Sequence, residues 1–108
     1  MPTYVLLMRF TPKGAENIRD SPSRIQAARE TFSALGGELK SWYLTAGAYD
    51  GVSIVEAPDE ETLTRAVLAL NALGNVRTES MRAFDEREFA AMIESLEEQF
   101  RTMVGSRR

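Results

Sequence analysis

Cysteine and histidine are both absent from the sequence. That removes several chemistries at once. No disulfide, zinc–thiolate centre, iron–sulfur cluster, cysteine nucleophile or Ser-His-Asp triad can be assembled from this chain. A histidine-ligated haem or iron would need its ligand from elsewhere. Long apolar runs are missing too. Nothing approaches the ~20 apolar residues of a membrane-spanning helix. The segment Met1 to Arg9 has too short an apolar run for a secretion signal and no basic flank before it. A basic excess is also lacking. The net charge is −3 and the pI about 5.0, which argues against nonspecific nucleic-acid binding. The terminal Arg107-Arg108 pair does not reverse that balance. The expectation is a cytoplasmic protein with neither nucleic-acid nor membrane partners.

What is present is an ordinary globular composition. Apolar content of 44% and charged content of 27% exclude disorder, and 108 residues suffice for one domain over 1–108. A chain of this size buries roughly two-thirds of its unfolded surface, so its core is modest.

Hydrophobic periodicity gives the element order. Thr3 to Phe10 alternates, with Tyr4, Leu6, Met8 and Phe10 on one side and Val5, Leu7 and Arg9 on the other. Both sets are mostly apolar, which predicts a strand covered on both faces. Thr11 to Ser21 is polar and reads as a loop, with a turn of helix around Glu16. Its length admits either a plain surface connection or a lid. Ser21 or Ser23 starts a helix, with Pro22 in the first turn and Ser23 to Gln26 fitting a capping box. Ile25, Ala28, Phe32 and Leu35 form its stripe. Gly36-Gly37 ends it. A second strand runs from Glu38 to Thr45, with Leu39, Ser41 and Tyr43 alternating against Lys40, Trp42 and Leu44.

The stretch Ala46 to Asp59 organises the middle of the chain. Gly47 to Gly51 is too short for a crossover, so the strand Gly51 to Ala57 must be an antiparallel neighbour of the second. Pro58 stops that strand and Asp59 caps the next helix, with Glu60 and Glu61 in its first turn. Leu63, Ala66, Val67, Leu70 and Leu73 are its apolar stripe, and Gly74 ends it. Val76 to Phe84 is the most polar strand and suits an edge. Asp85 and Glu88 form a capping box for a last helix, about 85–104, carrying Phe89, Ile93, Leu96, Phe100 and Met103. Residues 105–108 read as a disordered tail.

The order β-α-β-β-α-β, with a weak symmetry between halves, points to an α+β fold. Its simplest closure is a ferredoxin-like sandwich with an extra C-terminal helix. Both main helices then cover one sheet face. The other face is too apolar for water. The last helix can cover part of it, and a second copy can cover the rest. A homodimer or higher assembly is expected.

Several separated motifs together resemble the GYD domain family. They are the loop Gly14 to Asp20 with Ser21-Pro22-Ser23-Arg24, then Gly47-Ala48-Tyr49-Asp50 with Gly51-Val52, then Glu56-Ala57-Pro58-Asp59, and then Leu73 to Glu79 leading to Arg82-Ala83-Phe84. The resemblance spans about 3–84, and Ala48 interrupts the tripeptide that names the family. It implies a ferredoxin-like core of the dimeric α/β-barrel type. It implies no reaction and transfers no catalytic residue.

The residues that could carry chemistry each have two readings. Tyr49 and Asp50 are either turn residues or hydrogen-bonding and proton-transfer groups at a pocket rim. Arg9 either pairs with Glu56, Glu79 or Asp50, or holds an anionic ligand. Trp42 either packs or walls a ligand, with Tyr43 beside it. Arg77 and Arg82 read as edge charges, and Asn75 as part of a helix cap. The acidic helix starts are explained by capping, so neither metal nor cofactor is expected. Arg9, Trp42, Tyr43, Tyr49 and Asp50 are the candidate ligand-binding set. They fit a small-molecule-binding oligomer with its pocket between sheet and helices. A cofactor-independent enzyme of the dimeric α/β-barrel kind, monooxygenase- or isomerase-like, and a structural or protein-interaction module are the alternatives.

Overall fold

A computed structural model describes residues 1–106. Strands β1 (Thr3–Phe10), β2 (Glu38–Leu44), β3 (Gly51–Glu56) and β4 (Val76–Ala83) form one antiparallel sheet in the order β2-β3-β1-β4. Helices α2 (Ser21–Ala34) and α3 (Glu60–Ala72) supply the residues that pack on one face of it. This is the ferredoxin-like α+β arrangement, with α4 (Glu86–Ser106) added at the end. β1 is central because it is apolar on both faces, and β4 is an edge, as its polarity requires.

The core lies between the sheet and α2 and α3. Tyr4, Leu6, Leu39 and Val55 meet Phe32, Leu63 and Ala66 there. Phe32 is 1% exposed and Val55 fully enclosed. Burial of such side chains stabilises by roughly 1.5–3 kcal/mol each. α2 ends in a glycine turn: Gly36 has φ +84°, and the Gly37 N–H donates to the Phe32 carbonyl at 2.8 Å. Asp59 caps α3 by accepting from the Thr62 N–H at 2.8 Å. That bond holds its carboxyl below the usual range. The cap is therefore complete above ordinary aspartate pKa values and is lost as pH falls through the lowered one.

Several expectations change. The turn of helix expected around Glu16 is present, but it starts earlier and a second turn follows it. Thr11 accepts from the Gly14 N–H and Pro12 opens the short helix α1 (Pro12–Glu16), followed by a 3-10 turn at Ile18–Asp20. The segment after β1 is not free to act as a lid. The Thr11 hydroxyl donates to the Gly74 carbonyl at 2.5 Å and the Lys13 ammonium to the Leu73 carbonyl at 2.9 Å. The capping box at Ser23 does not form, because the 3-10 turn feeds directly into α2. The Ser23 hydroxyl instead donates to the Asp20 carbonyl at 2.9 Å. Leu35, at the end of α2, is exposed.

The second strand does not alternate simply. The β2–β3 register shifts between Leu39 and Ser41, leaving Lys40 as the extra residue. Lys40 faces Glu38 and Glu56 at 3.7 and 3.5 Å. Beyond the bulge, Trp42 rather than Ser41 shares the helix-covered face with Leu39.

The last helix does not cover the open sheet face. It runs outward and stretches the molecule to 66 Å in its longest dimension. It continues through Gly105 to Ser106, two residues into the expected disordered tail. Arg107 and Arg108 lie outside the described residues.

A Cβ on Gly14 would lie 1.9 Å from the Asn75 carbonyl oxygen, a backbone atom that cannot step aside. Gly14→Ala should therefore cost about 1–3 kcal/mol, as overpacking does. Gly105→Ala, in open space within α4, should be neutral or slightly stabilising. Thermal denaturation of the two variants checks the contrast.

Candidate functional site

The sheet separates two surfaces. On the side covered by α2 and α3 lies a half-open space of about 80 Å³. Trp42, Phe10, Ile25 and Leu70 contribute to its mostly apolar lining, with Arg24, Asn75 and Thr78 among the polar residues. Drug-sized ligand sites run to ~300–1,000 Å³, so this space holds a fragment of a few atoms at most. Arg24 is already engaged. Its guanidinium donates to the Asn17 carbonyl at 2.9 Å and to the Ser21 hydroxyl at 3.0 Å.

The opposite face carries Val5, Leu7 and Arg9 of β1. The register places Val52 and Ile54 beside them on one flank, and Met81, Glu79 and Arg77 on the other. Tyr43 of β2 extends the same face and is 59% exposed. At one end of this face the β2–β3 link folds over. Arg9 donates through Nε to the Ala48 carbonyl at 2.8 Å, and its Cζ lies 4.4 Å from the centre of the Tyr49 ring. The Tyr49 hydroxyl donates to Glu79 Oε2 at 2.8 Å. Arg77 stands directly across from Arg9 and has no hydrogen-bond or ion-pair partner among the described residues. Like charges opposed across a ladder are unfavourable.

The five candidate residues thus fall on different surfaces. Arg9, Tyr43 and Tyr49 are on the open face, while Trp42 is on the covered one. Asp50 holds the backbone together. The β1–β3 ladder stops at the Met8–Gly51 pair, and the Asp50 carboxylate continues it by accepting from the Phe10 N–H at 2.9 Å. The Asp50 N–H meanwhile donates to the Met8 carbonyl at 2.9 Å. Arg9 is exposed and takes a carbonyl and a ring as its partners, not Glu56, Glu79 or Asp50. Among the described residues, no group of three or more acidic side chains could hold a metal, and no helix is long and apolar enough to cross a membrane.

The bond to Glu79, helped by partial burial and by the Glu79 charge, pushes the Tyr49 phenol up from its ordinary value. Arg9 offsets part of this. At neutral pH Tyr49 is a hydrogen-bond donor and not a base.

Two features escaped sequence reasoning. Arg82 is a clamp and not a surface charge. It donates to the Thr3 and Ala83 carbonyls, reaches Glu88 Oε2 at 3.4 Å and stacks over Phe84 at 4.3 Å. Its alternation with Tyr4 on the helix side was the available signal, but only the register reveals it. The second is that the apolar stripe of α4 stays exposed. Phe89, Ile93, Leu96 and Phe100 are 40–60% exposed along one side of it. These exposed side chains form an apolar patch of the kind that marks interaction surfaces.

Residues 4–93 match the GYD domain family. The chain belongs to this family. A protein of Thermus thermophilus named as a glutamine synthetase and cystathionine beta-lyase binding protein is 33% identical over 94 residues, covering 86% of this chain and 99% of its own. A crystal structure of a Thermus thermophilus protein is 30% identical, with a TM-score of 0.51 over 79% of this chain and 95% of that one. The leucine response regulatory protein of Mycobacterium tuberculosis superposes with a TM-score of 0.58 at 20% identity, over 78% of this chain. The GYD chain spans about half of that regulator, 51% of its length. That likeness concerns the fold alone.

If Tyr49 donates to Glu79, its phenol should titrate above the ordinary ~10. The bond contributes at every pH below that range and is lost as pH rises through the raised value. The ultraviolet difference between wild type and Tyr49→Phe reports it. A difference that titrates at or below 10 contradicts the assignment.

Proposed function

We propose that this GYD domain protein is a non-catalytic binding module that assembles with copies of itself and docks on other proteins, enzymes of amino-acid metabolism among them. The observation that carries this reading is the contrast between its two kinds of surface. The space between sheet and helices is about 80 Å³, whereas the other sheet face has a half-buried apolar centre of Val5, Leu7, Val52 and Ile54 and one side of a 21-residue helix exposes large apolar residues. Burial of each Phe or Leu there would contribute roughly 1.5–3 kcal/mol, so covering these surfaces is a strong drive to association. The relative named for binding glutamine synthetase and cystathionine beta-lyase supports the choice of partners, because nearly all of its length is matched. The Tyr49 phenol, the titratable group with a raised pKa on the open face, is tied to Glu79 as a hydrogen-bond donor.

One observation favours a second reading, a small ligand between sheet and helices: the apolar space beside Trp42. Such a ligand would have only a few heavy atoms, or α2 would have to shift. Trp42 is the single tryptophan, so its fluorescence reads the site directly. A saturable change on titrating small apolar compounds supports this reading, and a flat response contradicts it.

The main reading is tested with purified glutamine synthetase and cystathionine beta-lyase from the same source as the chain. Biolayer interferometry should show saturable binding of at least one, with Kd of about 10 µM or tighter, within reach of transient protein interfaces. No binding of either enzyme at 100 µM would contradict it.

A further inference from the structure

We infer that the space between the sheet and the helices takes a neutral molecule of about three to five heavy atoms, its oxygen held by the Ser53 hydroxyl and the Trp42 indole N–H. The proposal rests on the second reading above, a small ligand beside Trp42, and deepens it by naming the ligand's chemistry. The site lies on the covered face, so it is the same in a single chain and in any assembly that covers the open one.

Ser53 stands on the helix-covered face of β3, between Gly51 and Val55. It is the buried polar residue of the core, 6% exposed. Its hydroxyl makes no hydrogen bond among the described residues. No described polar side-chain atom is sealed from solvent without a partner, so this hydroxyl keeps some open surface, and the space it lines supplies it. A hydroxyl placed among Leu6, Phe32 and Leu39 costs stability until something bonds it.

The register puts Trp42 directly across from Ser53. Side chains so paired start about 4.5–5.5 Å apart at Cβ. The indole N–H also lacks a partner among the described residues. The ring passes over Gly51, where a Cβ would come within 2.9 Å of Trp42 Cζ2. That carbon is next to the one bonded to the indole nitrogen, so the glycine lets the nitrogen edge lie low over β3. An indole N–H only donates, whereas a hydroxyl donates and accepts. One ligand oxygen can take both donors.

The rest of the lining selects against charge. The terminal nitrogens of Arg24 are committed to the Asn17 and Gly14 carbonyls and the Ser21 hydroxyl. The Thr78 hydroxyl bonds Asn71 at 3.4 Å. Asn75 gives its carbonyl to the Thr11 N–H, and its side-chain amide is neutral. A carboxylate would face a mostly apolar lining with Arg24 turned to the main chain, and would lose its hydration without replacement.

Volume sets the size. A cavity of about 150 Å³ holds benzene. The space of about 80 Å³ takes roughly half as many atoms, and its open side admits one or two more. Short alcohols, ketones and primary amides fit, with the alkyl part against Leu6, Phe32 and Leu39.

Trp42 is the single tryptophan, so its indole N–H gives one side-chain signal in nitrogen–proton correlation spectra. The probes are propionamide, propionate and cyclopentane, which are alike in size. Propionamide should shift that signal saturably in the millimolar range, as so few atoms allow. Propionate should bind about tenfold more weakly. Ser53→Ala should weaken propionamide about fivefold and leave the cyclopentane response unchanged. It should not lower the melting temperature, since no bond within the chain is lost. Equal binding of propionamide and cyclopentane with no effect of Ser53→Ala overturns the polar recognition and leaves the ligand reading standing. Propionate binding as tightly as propionamide overturns the proposal as well. So does a lower melting temperature of Ser53→Ala, which would mean that the hydroxyl is bonded within the fold. No shift with any probe removes the ligand reading too, and so separates the two failures.

Discussion

The structure depends on one asymmetry. β1 is apolar on both faces, yet the chain lays helices against only one. Everything on the covered side is a settled core, with Phe32 and Val55 enclosed and the helix ends closed by glycine turns and an aspartate cap. Everything on the other side is surface awaiting a cover. The last helix, which might have provided one, is held in a direction that adds its own apolar side to the problem. The proposed association follows from how the hydrophobic residues are distributed.

That asymmetry also decides what the conspicuous turn residues do. Tyr49 and Asp50 look reactive in the sequence because a phenol and a carboxylate stand side by side between glycines. In the fold they diverge. Asp50 extends a ladder that runs out of partners, and Tyr49 lies over Arg9 and reaches Glu79. Both hold the β2–β3 link against one end of the open face. They shape one end of the open sheet face through hydrogen bonds.

Much of the fold was legible in the sequence because its signals are local. The two-sided alternation of Thr3–Phe10, the Pro58-Asp59 stop and cap, and the Asp85–Glu88 box each depend on residues within a few positions of one another. The misreadings arose where the deciding contact is distant. The Lys40 bulge is a matter of the register against β3, and it moves Trp42 to the covered side. The tethering of the segment after β1 depends on the carbonyls of Leu73 and Gly74, some sixty residues away. The division of Arg9, Tyr43 and Tyr49 from Trp42 is a matter of register, which no single strand discloses. Arg82 reads as one more edge charge until Glu88 and the Thr3 carbonyl are seen beside it.

The central claim is that the side of α4 carrying Ile93, Leu96 and Phe100 is covered by protein in solution. Hydrogen–deuterium exchange along this helix, followed over a dilution series, tests it most directly. The account predicts slow exchange across Ile93–Phe100 at high concentration, accelerating as the chains are diluted apart, while the core amides of β1 and β3 stay protected. Fast exchange in α4 that is independent of concentration, as for a lone solvated helix, would contradict it.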